Sequence, residues 1–371
     1  MQKLKRTTHV DCNAWFTHLQ SRSSTTMNIA RRANSQDVAA LAGVSQATVS
    51  RAFTPGASIS DRARKKIEAA AAKLGYQPNI IARSLSKRRS RLVGLLFANW
   101  THPKAADLLK NITEALTEHD YKVIVQSATG SRLTDEVLRE FLRYQVDGVI
   151  VFSAAPTAEI SAEYARAQVP IVLLNQNGQS LNTSSVSVDA TGIGNQIASS
   201  LLARSYKRLA LISANPKSQI VIDMTKAIVS TVAEHPHMRI ISQQTGIDGY
   251  EAGMREIENI WKQPETRPDA IVCTSDNTAL GILAGCRQNL GIKVPEELAI
   301  VGLGDIPASA WQDQSLSTIK IPHDEMVSKA VMTLITGIED PSVQPESYRY
   351  QAEFIQRGTT RIISNPKTGE T

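Results

Sequence analysis

The sequence predicts a short all-α unit, two helices around a tight turn with a third behind them, joined to an α/β body of two lobes with parallel sheets. Between residues 34 and 78, apolar residues recur at helical spacing with capping and turn residues between them. From Leu92 onward, short apolar or β-branched runs alternate with amphipathic helical stretches, as in parallel sheets covered on both faces. Charge divides the chain at the same place. Residues 28–91 carry 13 Lys+Arg against 3 Asp+Glu, and the first 27 residues carry 4 against 1. The remainder is net acidic by 7, so the overall charge of +6 belongs to the N-terminal part alone.

Length and composition bound the rest. A chain of 371 residues, 42 % hydrophobic and without an apolar run of membrane length, is expected to be a soluble protein of two or three domains. No apolar stretch of signal-peptide length follows the basic Met1–Val10 segment, which fits a cytoplasmic protein and no membrane partner. Cys12 sits in a polar tail, whereas Cys273 and Cys286 lie in apolar runs, so three cysteines make no disulfide framework. The first 33 residues show neither helical nor strand periodicity, and a disordered extension is expected there.

In the N-terminal unit, Ser35 is the candidate cap of a helix whose apolar members are Val38, Ala39 and Ala42, and Gly43 ends it. Ser45 caps the next helix. Val44 and Val49 face back toward the first, which leaves Gln46, Ala47, Ser50 and Arg51 outward. Such a face suits a DNA major groove, where a guanidinium fork reads guanine and an amide reads adenine. A solvated helical hairpin is the alternative, and the concentration of basic charge decides against it. A third helix is readable from Ser60 to Leu74, with Ala63, Ile67, Ala70, Ala71 and Leu74 on one side and Gly75 after it. Residues 79–86 place Ile81, Ala82 and Leu85 on one side of a helix too short to hold alone in water, so it forms only when docked.

The run Ser35-Gln-Asp-Val-Ala-Ala-Leu-Ala-Gly-Val-Ser-Gln-Ala-Thr-Val-Ser-Arg51, followed by Leu74-Gly-Tyr-Gln-Pro-Asn79 and Ala82-Arg-Ser-Leu85, resembles the headpiece of the LacI/GalR family of bacterial transcription repressors. The resemblance continues along nearly the whole chain after Asn34. It implies that Gln46, Ala47 and Arg51 read bases and that Ser45, Thr48, Ser50, Tyr76, Asn79, Ala82 and Lys87 meet phosphates or the minor groove. It puts Leu85 on the leucine that the family wedges into the minor groove. Because family headpieces begin just before their first helix, a natural start near Met27 is implied.

The implied organisation is an extension at 1–33, a helix-turn-helix headpiece at 34–78, a hinge helix and linker at 79–91, and a body at 92–371. That body would be a periplasmic-binding-protein-like pair of lobes with parallel sheets. Lobe 1 would take about 92–188 plus 319–337, and lobe 2 about 189–317 plus 340–371, with a C-terminal strand from Tyr348 to Arg357. A ligand cleft is expected beyond the carboxyl ends of the strands. The effector positions implied are Asn99, Asn175, Met224, Asp248 and Asp276. The residues by themselves leave Asp276 open between accepting ligand hydroxyls and capping its own helix. Three departures stand against an ordinary sugar effector: Met224 where many members have Arg, Lys104-Ala105 where they have aromatics, and Gly304 where an Asp is usual.

Other constellations carry little. Thr191-Gly-Ile-Gly-Asn-Gln-Ile197 imitates a dinucleotide fingerprint but has Ile197 in place of the third glycine, so a helix start at a lobe crossover is expected. His235-Pro-His237 lacks further ligands at metal spacing. No catalytic residue, metal or cofactor is expected. The function expected is a homodimeric, or higher-order, repressor of a near-palindromic double-stranded operator, modulated by a small molecule. The alternatives are a sugar-type binding protein and an α/β enzyme with an incidental basic N-terminus.

Overall fold

The computed structural model describes residues 33–54, 56–77, 89–98, 104–128, 134–176, 182–216 and 218–362. The chain separates into two compact units, Met1–Arg83 and Ser84–Thr371. Residues 1–32 of the expected 1–33 extension and residues 79–88 of the expected 79–91 hinge and linker, with Asn79, Ala82, Leu85 and Lys87, lie outside the described residues, as does Asn99.

The first unit contains α1 (Ser35–Ala42), α2 (Gln46–Ala52) and α3 (Asp61–Leu74). Asn34, not Ser35, caps α1: its Oδ1 accepts the amides of Gln36 and Asp37, and the Asp37 carboxylate accepts the Asn34 amide at 2.8 Å. A reciprocal pair satisfies more orphan amides than a lone Ser, which moves the boundary one residue earlier. Ser45 and Ser60 cap α2 and α3, and Gly43 and Gly75 end α1 and α3 in the left-handed region at φ 66° and 62°. Val38, Val49 and Ile67 meet in the centre with nothing exposed. Leu74, expected on the apolar side, is 36 % exposed, because the three-helix core ends a turn earlier at Ala70 and Ala71.

The second unit begins with a clamp. Ser90 donates its amide and hydroxyl to Asp147 Oδ1, and the Arg91 amide donates to Oδ2 at 2.9 Å. The end of the expected linker is therefore already fastened to the body. There follow β1 (Leu92–Phe97), α4 (Ala105–Glu118), β2 (Lys122–Ser127), α5 (Thr134–Arg143), β3 (Gly148–Phe152), α6 (Ala158–Ala167), β4 (Ile171–Leu174) and β5 (Ser184–Val188). The chain continues as α7 (Ala190–Ala203), β6 (Arg208–Ser213), α8 (Gln219–Ala233), β7 (Arg239–Thr245), α9 (Tyr250–Trp261), β8 (Ala270–Cys273), α10 (Asp276–Gly285) and β9 (Ala299–Leu303). It closes with β10 (Ser317–Lys320), α11 (His323–Glu339), β11 (Ser347–Tyr350) and β12 (Glu353–Ile355).

Two six-stranded sheets result, ordered β11-β5-β4-β3-β1-β2 and β12-β10-β9-β8-β6-β7. Every pairing is parallel except β10 with β12. The fully buried runs Gly148–Phe152 and Ala270–Cys273 are central strands, as their unbroken apolar character requires. β7 extends past the expected Ser242 to Thr245, since its exposed Gln243, Gln244 and Thr245 keep pairing with β6 along an edge.

The strand exchange differs from expectation. Ser317–Lys320 pairs with β9 and so belongs to lobe 2 throughout, while Ser347–Tyr350 pairs with β5 in lobe 1. The expected Tyr348–Arg357 strand is two strands, one in each sheet. Residues 319–320 thus move to lobe 2 and 347–350 to lobe 1. Alternation of apolar residues cannot reveal this, because either sheet accepts the same pattern. Three crossings leave the carboxyl ends of β5, β10 and β11, so those ends of the two sheets face one another. Two of the crossings are tied together: the Asp189 amide donates to the Tyr350 carbonyl at 2.9 Å, and Gln351 Nε2 donates to Asp189 Oδ2 at 3.2 Å. Asp189 Oδ1 also accepts the Gly192 amide, which makes the glycine-containing run a helix start, as its missing third glycine implied.

Candidate functional site

In the headpiece, one turn separates inside from outside. Val49 has no exposed surface, whereas Gln46, Ala47, Ser50 and Arg51 around it are exposed. Ser45 Oγ caps the Thr48 amide and shares a 2.8 Å hydrogen bond with Thr48 Oγ1, so both hydroxyls stand at the helix N-terminus, where backbone amides favour phosphate. Gln46 Nε2 donates to Ser35 Oγ at 2.9 Å, which holds the amide across the turn while the side chain stays exposed. Tyr76 packs its ring on Phe53 at 5.9 Å and is partly covered. Sequence reasoning missed Arg64, whose Nη1 donates to the Ala52 carbonyl at 2.7 Å and fixes the end of α2 against α3. An Arg four residues into a helix that follows a short loop offers no signal that separates this from a solvated charge.

The effector positions do not share one environment. Asn175, at the carboxyl end of β4, has φ 59°, donates from Nδ2 to Ser153 Oγ at 3.2 Å, and keeps its Oδ1 buried without a hydrogen-bond partner. Asp248 is exposed in the loop between β7 and α9. Met224 is 1 % exposed and faces into lobe 2.

Asp276 does not cap its own helix; its carboxylate is taken up by three donors elsewhere in lobe 2. It is the first residue of α10, its side chain caps nothing there, and its residue is wholly buried. Its Oδ2 accepts the Ile306 amide at 3.0 Å and Ser309 Oγ at 2.7 Å, and Oδ1 accepts Thr318 Oγ1 at 2.6 Å. Burial pushes its pKa above the ordinary carboxylate range, and the Thr318, Ile306 and Ser309 hydrogen bonds pull it partly back. A Cβ at Gly302 would collide with the same carboxylate, so that glycine makes the room. Gly304, at φ 132°, opens the turn, and Asp305 beside it is bound to Arg357 Nη2 at 2.6 Å. Both acids near the carboxyl end of β9 are thus engaged within lobe 2. His235 Nδ1, just past the end of α8, lies 2.8 Å from the Thr231 carbonyl in that helix's last turn. Cys273 and Cys286 are buried in the core, and burial pushes the Cys286 thiol up to about 12.

A cavity of about 200 Å³ opens at the carboxyl ends of β6, β7 and β8 under α8. Its buried lining is Leu211, Ile212, Ser213, Met224, Ile228 and Val272. Ser213 Oγ is buried and has no hydrogen-bond partner. Neither feature was apparent in the sequence, where Ser213 reads only as the polar end of an apolar strand.

Residues 35–79 match the model for bacterial regulatory proteins of the lacI family, and residues 198–360 match the periplasmic binding protein-like domain. The ribose operon repressor of Haemophilus influenzae is 27 % identical over 324 residues, covering 85 % of this chain and 94 % of that protein. The chain belongs to the LacI/GalR family of transcription regulators. A LacI-family regulator from Silicibacter pomeroyi superposes with a TM-score of 0.78 at 22 % identity, covering 89 % of this chain and 100 % of the other. The Lac repressor dimer bound to operator and the anti-inducer ONPF gives 0.76 at 22 % identity, covering 89 % and 99 %. These likenesses give this LacI/GalR member its fold: a helix-turn-helix headpiece and a body of two periplasmic-binding-protein-like lobes. No helix among the described residues is long and apolar enough to cross a membrane.

Proposed function

We propose that this chain is a sequence-specific repressor of transcription that acts in the cytoplasm as a homodimer and is not an enzyme. Two headpieces read the halves of a near-palindromic operator, and a small molecule at the facing carboxyl ends of the two sheets alters their affinity. The observation that carries this reading is α2, with Val49 fully buried and Gln46, Ala47, Ser50 and Arg51 exposed on a strongly basic unit. In this reading Arg51 and Gln46 meet base edges, Ala47 lets the helix approach closely, and Ser45, Thr48, Ser50 and Tyr76 position the backbone. Asn79, Ala82 and Lys87 are assigned to phosphate or the minor groove by the family pattern, and Leu85 to the minor-groove wedge. Asn175, with its unpaired Oδ1, is the favoured effector contact in lobe 1. Asp276 is assigned a structural role in place of a ligand contact.

Symmetry follows from affinity. One headpiece reads few base pairs, and joining two raises the effective concentration of the second at its half-site. Selection from a random duplex pool should return near-palindromic sites; recovery of asymmetric or unrelated sequences would refute the dimeric operator reading.

A further inference from the structure

Resting on the reading as an effector-controlled regulator, we propose that the lobe 2 cavity takes a small uncharged molecule with an apolar body. That body is a single ring or a branched alkyl group, and it carries one hydroxyl or carbonyl that meets Ser213. The space is about 200 Å³, and an apolar cavity of roughly 150 Å³ already admits a guest the size of benzene. Leu211, Ile212, Met224, Ile228 and Val272 supply the buried walls, and Ser213 is the polar group among the buried lining. Gln243, Gln244, Thr245 and Lys226 also border the cavity, but they are exposed and keep their polar groups in water at its rim.

A sugar fits this lining poorly. Each hydroxyl turned toward carbon loses its water, and the buried Ser213 with the half-buried Thr225 and Thr274 at its edge cannot answer all of a sugar's hydroxyls. An anion is equally ill served, because no cation stands among the buried lining and the rim lysine remains hydrated. The Ser213 hydroxyl itself points to a ligand. It is buried without a partner, an uncommon state for a polar atom, and as donor and acceptor it can bond either a hydroxyl or a carbonyl. Met224 is suited to the apolar body, since a thioether adapts its rotamers and packs well against ring edges. The cavity opens at the carboxyl ends of the lobe 2 strands, the end from which β10 crosses to lobe 1, so occupancy can bias lobe closure.

The test is calorimetry on the full chain with phenol, cyclohexanol, toluene, ribose and cellobiose. Phenol and cyclohexanol should bind at one site, and the two sugars should not. Ser213→Ala should weaken phenol about tenfold, the loss of one hydrogen bond, and leave toluene unchanged, a discrimination that a purely structural serine does not produce. Val221→Trp, on the half-exposed part of the lining, should abolish binding of all three apolar probes, with the melting curve of the unliganded variant reporting its fold. No apolar probe binding, phenol binding indifferent to both substitutions, or sugar binding that these substitutions weaken would each overturn the proposal. Operator binding by the same preparation without probe is scored separately. Its absence removes the regulator reading alone, and the ligand class then stands or falls on calorimetry.

Discussion

Asp276→Ala should unfold lobe 2 at a markedly lower temperature without any ligand being involved. The substitution strips the acceptor from the Ile306 amide at 3.0 Å, Ser309 Oγ at 2.7 Å and Thr318 Oγ1 at 2.6 Å. Ser309 and Thr318 have no exposed surface, so none of the three donors gains bulk water in exchange. Each buried donor left unpaired costs about 1–3 kcal/mol, and removing a desolvated carboxylate returns part of the total. The net is about 3 kcal/mol, a fall of roughly 5–10 °C for a body of this size. Asp276→Asn should cost less, because the amide oxygen can still accept from Ile306 and Ser309 while its NH₂ turns to Thr318. The same pair tests the charge. Burial raises the folded-state pKa above the unfolded value of about 3.9. The stability contributed by protonation is therefore fully present below that unfolded value and is lost as pH rises through the folded one. Wild-type stability should accordingly decline relative to Asp276→Asn over that rise. Scanning calorimetry of the full chain across pH measures both effects. An Asp276→Ala protein melting at the wild-type temperature would refute the structural role and return this carboxylate to the ligand.

Three further outcomes follow from the same reasoning. Arg51→Ala should cost about 1–3 kcal/mol of discrimination at one operator base pair, whereas Lys87→Ala should weaken all sequences alike; titration of matched and single-base-changed duplexes separates them, and a uniform loss from Arg51→Ala would remove its base-reading role. Gly194→Ala drives a methyl to 2.7 Å from Ala227 Cβ and against the Met224 carbonyl, so packing of α7 on α8 should weaken by about 1–3 kcal/mol in urea denaturation; an unchanged midpoint would show that the two helices separate freely. Leu85→Ala should reduce operator affinity and DNA bending while leaving the melting temperature of the free protein nearly unaltered. A large fall in that melting temperature with unaltered bending would reject the wedge.

Local chemistry made much of this molecule legible in advance. Gly43 and Gly75 end their helices because each must adopt a positive φ, and the burial of Val49 beside exposed Gln46 and Arg51 follows from helical spacing alone. Central strands such as β3 announced themselves because both faces are covered. What remained hidden depends on long-range partners. The Asp276 acceptors come from residues 30 to 42 positions away, so sequence could name the acid but not its occupation. Met224 stands where the family resemblance implies a ligand contact, and the buried wall it joins is built from strand partners that local spacing does not encode. The assignment of β10 and β11 to opposite lobes turns on pairing partners that an apolar pattern does not encode.

That interleaving governs how the body can be made. When the ribosome has released everything through β5, the lobe 1 sheet still lacks its outer strand β11, which pairs at Ser347–Tyr350, and the α11 cover that packs on β3, β4 and β5. Lobe 2 is no more independent, since β12 closes its sheet only at Glu353–Ile355. A nascent chain therefore carries an open β5 edge and an uncovered apolar face through the whole synthesis of lobe 2, the kind of surface that invites pairing with other chains. That edge stays open for more than 150 residues of elongation, from Val188 to Ser347. A stop codon ahead of β11 would leave both halves unfinished at once.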